Sequence, residues 1–151
     1  MAVQTLSTTL TINPAFLQEI KDSNAELWQT LERIQGLYDA AMPPATIAQK
    51  LVRWLDDLRD QLALQFSLEE AYGYLELPTP DRAIGTRAEQ ARRQHCALYL
   101  DLSELCERAE ELQYRGLATE QLGLLIEETQ AFDARLQAHE AIENQLIRSC
   151  R

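Results

Sequence analysis

One pattern occurs twice in this chain, and both times it turns polar where a buried seam should stay apolar. Leu58, Leu62, Gln65 and Glu69 follow one another at steps of four, three and four residues, and Phe132, Leu136, His139 and Glu143 do the same. Those steps keep four side chains on one stripe of an α-helix. Polar groups set in a core-facing stripe lose their water on folding, and need hydrogen-bond partners or a metal ion to offset the loss. Whatever fold the chain adopts must bring something up to these positions.

A second repeat supplies the facing elements. His95, Leu98, Leu102 and Leu105 have the spacing of Asn24, Leu27, Leu31 and Ile34. The chain therefore reads as two similar halves. Each is a helix with one polar seam residue near its start, then a helix with a polar i, i+4 pair, and the distance between the two along the chain is nearly equal in both halves. Such repetition predicts an all-α fold, a pseudo-symmetric antiparallel up-down four-helix bundle.

The punctuation fits four helices. Residues 1–13 read as a short extended arm on the bundle edge, and 14–151 as the bundle. Asn13-Pro14 offers an N-cap followed by proline at the first helical position. The first helix is predicted over 14–41, where Pro43-Pro44 stops it. The second is predicted over 45–76. The stretch from Leu77 to Gly85 holds two prolines and a glycine and separates the halves. Thr86 and Glu89 form a capping box for a third helix ending near Arg115, with Gly116 as its C-cap. Thr119 caps a fourth helix that runs to Ser149. Each helix is about 42–48 Å long at the standard rise per residue, and the short connections make the helices of each half antiparallel neighbours.

Composition narrows the function. At 151 residues the chain is one domain, long enough to bury a core. A net charge of −10 opposes binding to nucleic-acid phosphates or anionic membranes. No apolar run approaches the roughly 20 residues that span a bilayer. Met1 to Ile12 lacks a basic region followed by an apolar block, so no signal peptide is expected. Cys96, Cys106 and Cys150 are odd in number and lack metal-site spacing, which suits reduced thiols and a cytoplasmic protein. No Ser/His/Asp arrangement, phosphate-cradling glycine loop or zinc-type cysteine pair is present, so the chain is not expected to be an enzyme. A metal ion is the partner the seam suggests; no protein partner is identified.

An i, i+4 pair can point two donors at one ion. In antiparallel helices at matching depth, His95, His139, Glu143 and Glu69 converge on a two-imidazole, two-carboxylate site. Such mixed ligation suits iron, manganese or zinc rather than calcium or magnesium. The alternative is a metal-free network in which neutral His95 and His139 hydrogen-bond Glu69, Glu143, Asn24 and Gln65. The bundle would then serve as a protein-interaction module. Glu70 and Glu140 read as solvated helix charges, and Trp28, Trp54, Tyr72, Tyr74 and Tyr99 as packing residues. Cys96 points about 100° away from His95 and is not expected to ligate.

The layout resembles the hemerythrin-like (His/His/Glu cation-binding) family over nearly the whole chain beyond residue 13. The best segments are RRQHCALYLDLSEL (Arg92 to Leu105) and FDARLQAHEAIENQLI (Phe132 to Ile147). The resemblance implies His on the first helix, His-x3-Glu on the second, His on the third and His-x3-Glu or His-x3-Asp on the fourth. In that family the four helices hold a non-haem di-iron centre that binds dioxygen or senses oxygen, iron or redox state. Here the first-helix position is Asn24 and the first second-helix position is Gln65. Tyr99 stands where oxygen carriers have a further third-helix histidine. In the family the first two helices supply the histidines of one iron and the last two those of the other, with bridging carboxylates. The resemblance thus implies a degenerate site. It would take at most one non-haem iron or other divalent ion, on His95, His139, Glu143 and Glu69, in a sensor or binding role. Oxygen carriage needs both irons and is not expected. Ferritin-like oxidases need Glu-x-x-His on two helices; Arg92 and Leu136 stand in the glutamate positions here.

Overall fold

The computed structural model describes residues 9–77, 81–116 and 118–151. Its elements run β1 (Thr9–Ile12), α1 (Pro14–Asp22), α2 (Ala25–Gln35), α3 (Pro44–Leu68), a π-helical turn (Glu69–Gly73), β2 (Tyr74–Leu77), α4 (Arg82–Arg115) and α5 (Thr119–Cys150). The chain is predominantly helical, of the all-α class. No helix among the described residues is long and apolar enough to cross a membrane.

The first expected helix is two helices. Asn13 caps α1 by accepting from the Phe16 amide at 3.1 Å, and Pro14 opens it. The helix breaks after Asp22, within the run Asp22-Ser23-Asn24, whose short polar side chains compete with the helical ladder for backbone groups. The Ser23 hydroxyl donates back to the Glu19 carbonyl at 2.7 Å, and Asn24 leaves the helical conformation before α2 begins. The second segment stops at Gln35, with residues 36–39 in a turn, short of the expected 41.

The second expected helix is also shorter than its pattern. Beyond Leu68 the backbone widens into the π turn, then extends as β2. Gly73 belongs at this exit: a Cβ there would lie 2.9 Å from Leu17 Cδ1, and its carbonyl accepts from the Asn13 amide at 2.8 Å. The strand β2 pairs antiparallel with β1, Leu10 opposite Glu76 and Ile12 opposite Tyr74. Residues 9–12 of the expected arm are therefore one strand of a ribbon; residues 1–8 of that arm lie outside the described residues.

On the far side of the connection, Asp81 rather than Thr86 starts α4, its carboxylate accepting from the amides of Ala83 and Ile84 at 3.0 and 3.3 Å. This helix ends where expected, at Gly116, whose φ of 92° favours glycine. Ala118, not Thr119, occupies the N-cap of α5.

Helix α2 packs on α3, α3 on α4, and α4 on α5, while α1 packs on α5 and the π turn. Two apolar clusters result. The larger joins α2, α3, α4 and α5 through residues such as Leu31, Leu58, Leu62, Leu102, Phe132 and Leu136. The smaller joins Leu10 and Ile12 of the ribbon to Leu17, Ala88, Ala91 and Leu146. Gly85, Ala88 and Ala91 form a stripe of small buried residues on α4, and β1 lies against that helix. Between the two clusters is a layer of buried polar side chains.

Candidate metal centre

Three helical segments send the four candidate ligands into this layer. Glu69 opens the π turn at the end of α3, His95 comes from α4, and His139 and Glu143 stand one turn apart on α5. One ligand atom of each lies within 4.8 Å of every other, and all four residues are buried. His95 Nε2 is 3.3 Å from Glu69 Oε1 and 3.3 Å from Glu143 Oε2; His139 Nε2 is 3.1 Å from Glu143 Oε1. The structure thus brings together the four residues that the seam pattern singled out.

Both imidazoles are oriented. Gln94 Oε1 accepts from His139 Nδ1 at 2.9 Å, leaving the Nε2 lone pair to face the centre. The Phe66 ring stacks on His95 at 4.0 Å between centroids, and the rings of Tyr74 and His139 meet it edge-on. A groove of about 300 Å³, lined by Phe66, Ser67, Arg92, Cys96 and Tyr99, reaches the His95 ring from the surface.

The pattern overlooked a cation. Lys21, 8% exposed, enters from α1. Its Nζ donates to Glu140 Oε2 and, at 2.8 Å, to Glu143 Oε1, and lies 3.5 Å from Glu69 Oε2. Glu140 is accordingly buried and ion-paired, not the solvated charge expected from its place beside His139. Tyr74 also departs from ordinary packing, its hydroxyl donating to Glu143 Oε2 at 2.6 Å. Tyr72 and Tyr99 remain exposed, as does Cys96. Asn24 and Gln65 bond each other at 2.9 Å, and Gln65 reaches Glu69 Oε2 at 3.5 Å.

The charges are strongly coupled. Burial alone would make Lys21 a weaker base, but the carboxylates of Glu143, Glu140 and Glu69 outweigh it and raise its pKa above the ordinary lysine value. Burial opposes the ionised form of Glu143 too; the adjacent His139, His95 and Lys21 hold its carboxyl well below the usual range. Burial raises Glu140 against the pull of Lys21. His95 loses basicity to burial and regains more from the adjacent carboxylates of Glu143 and Glu69, reaching about 9. Burial, reinforced by Glu143, pushes the Tyr74 phenol upward, so it stays a donor.

The donor set is compatible with a small divalent ion. Ligand atoms at roughly 2.05 Å from one ion stand about 3.3 Å apart in tetrahedral coordination, the spacing of the His95 and Glu69 donors. Among the described residues, Glu69 Oε1 and His139 Nε2 are buried with no hydrogen-bond partner. Both lie within ion-pair distance of a neighbour without hydrogen-bond geometry toward it, as when lone pairs aim at a common point. Two nitrogens and two carboxylates suit iron, manganese or zinc. Comparison with protein-family models, with curated proteins and with solved structures finds no match.

Proposed function

We propose that this chain is a hemerythrin-like domain, an antiparallel up-down four-helix bundle that binds one divalent metal ion, iron foremost. In this reading it is a sensor or binding domain, not an oxygen carrier. The observation that carries the reading is the buried convergence of His95, His139, Glu69 and Glu143, with Glu69 Oε1 and His139 Nε2 left without hydrogen bonds among the described residues. The helix contacts support the architecture, with α1 and α2 together as a broken first helix.

Each residue has a defined task. His95 and His139 present Nε2, and Glu69 and Glu143 supply negative charge. Gln94 and Phe66 hold the two imidazoles in position, and apolar clusters lie on either side. Iron held by His95, His139, Glu69 and Glu143 would supply a redox-active centre able to take a small ligand. Asn24 and Gln65 offer amides where the family's second iron has imidazole, which supports occupancy by a single iron.

Metal content per chain tests the reading, measured on protein expressed with supplemented iron beside a His139→Ala control. The expected result is about one iron per chain in the wild type and none in the variant. A variant that keeps its iron would overturn this ligand set. Folded protein with iron in neither sample would favour a second reading, a metal-free bundle acting as a protein-interaction module. That reading draws on Lys21 and Tyr74, which already engage both oxygens of Glu143.

A further inference from the structure

The buried ammonium of Lys21 has no part in the ligand set above, yet it shares two of its carboxylates. Glu69 turns Oε1 toward His95 and Oε2 toward Lys21. Glu143 turns Oε2 toward His95, while its Oε1 lies 2.8 Å from Lys21 and 3.1 Å from His139. Each carboxylate therefore spans two neighbouring positions for positive charge. One is bounded by the imidazoles; the other is filled by Nζ.

The second position has three carboxylate oxygen donors. Glu140 contributes Oε2 to Lys21, and its Oε1 is buried with no hydrogen-bond partner among the described residues. Glu140 itself is 6% exposed, so that unused oxygen is spare donor capacity inside the protein. Gln65 Nε2 donates to Glu69 Oε2 at 3.5 Å, and Asn24 Nδ2 in turn donates to Gln65 Oε1. Carboxylate oxygens are hard-cation ligands.

We infer that Lys21 is a built-in second cation: its ammonium takes the position that a second divalent ion would take among Glu69, Glu140 and Glu143, and so limits the centre to one metal. The inference rests on the metal-binding reading of the first position. A side-chain cation is tethered, so it is present at a fixed stoichiometry whatever the metal supply. A divalent ion can enter only by expelling it from these buried carboxylates.

The test is a Co(II) titration of the full chain by equilibrium dialysis, with helicity followed in parallel. Wild type, Lys21→Met and the charge-balanced pair Lys21→Met/Glu140→Gln are compared. The expected stoichiometry is one in the wild type and two in Lys21→Met, a doubling, with propylammonium displacing only the added equivalent. The pair removes one charge of each sign, so it decides the matter if the single variant fails to fold; it too should take a second, weaker equivalent. Two ions in the wild type would overturn the inference, as would one ion in wild type and in the folded variants alike. No ion in any protein would instead sink the metal-binding reading itself. Binding only after Lys21 is removed would sink single occupancy of the wild type while upholding Lys21 as the competing cation.

Discussion

Burial alone would lower the proton affinity of the His95 imidazole; the carboxylates of Glu143 and Glu69, each 3.3 Å from Nε2, raise its pKa from 6.5 to about 9. Since the folded-state value lies above the unfolded one, the stabilisation is complete below about pH 6.5 and is lost as pH rises through about 9. A shift of this size corresponds to something on the order of 3 kcal/mol. The metal-free protein should therefore melt at falling temperature across that window, and His95→Gln should flatten the dependence. Metal must displace the same proton to use Nε2, so Co(II) affinity should climb over the same interval, by roughly tenfold per pH unit for one proton released. Melting curves from pH 6 to 10, with and without Co(II), check both signs. A metal-free melting temperature that rises across the window would contradict the assignment of His95 as the buried imidazolium.

The ribbon is the element that connects the N-terminal segment to the centre. Ile12 of β1 is 4% exposed and stands opposite Tyr74, whose hydroxyl holds Glu143. Leu105, also 4% exposed, lies about 15 Å along α4 from His95. Ile12→Ala and Leu105→Ala should each cost about 2–4 kcal/mol in denaturant unfolding. Only Ile12→Ala should also weaken Co(II) binding; equal weakening by both would mean that the ribbon has no special hold on Glu143. Much of this architecture was legible before the coordinates. The paired stripes located α3, α4 and α5 and brought His95, His139, Glu143 and Glu69 to one place, because helical periodicity survives wherever the backbone stays helical. It fails where the backbone departs: the pattern through Glu69 reads as unbroken helix, and nothing in it marks the π turn or the short strand Tyr74–Leu77. Lys21 was missed because lysine reads as a surface residue. Yet Leu17, Lys21, Asn24, Leu27, Leu31 and Ile34 form one unbroken stripe at steps of four and three, and a cation in mid-seam was there to be seen. Glu140 falls between Leu136 and Glu143 of the same seam, at steps of four and three, and is as much in register with them as His139 is.

Across the whole molecule, the polar layer divides two apolar clusters of unequal size, and this predicts unequal stability. The larger cluster ties α2, α3, α4 and α5 by apolar contact. Helix α1 contributes Leu17 to the smaller one. Its other long buried side chain is Lys21, which binds it through charge to α5 and the π turn. A segment held by one leucine and one ion-pair cage opens at lower free energy than helices joined by a leucine stack. Removing one partner from a buried ion-pair network costs about 3–5 kcal/mol, because the remaining charges are left without compensation. Native-state hydrogen exchange should therefore find α1 and β1 exchanging through a partial opening, below the global unfolding free energy set by the middle turns of α4 and α5. In Lys21→Met, protection should fall first and furthest in α1, and Co(II) should restore part of it only if the ion takes the oxygens that the ammonium leaves. If α1 exchanged only through global unfolding in wild type and variant alike, the two clusters would be one cooperative unit and Lys21 would stabilise the whole bundle rather than latch its first helix.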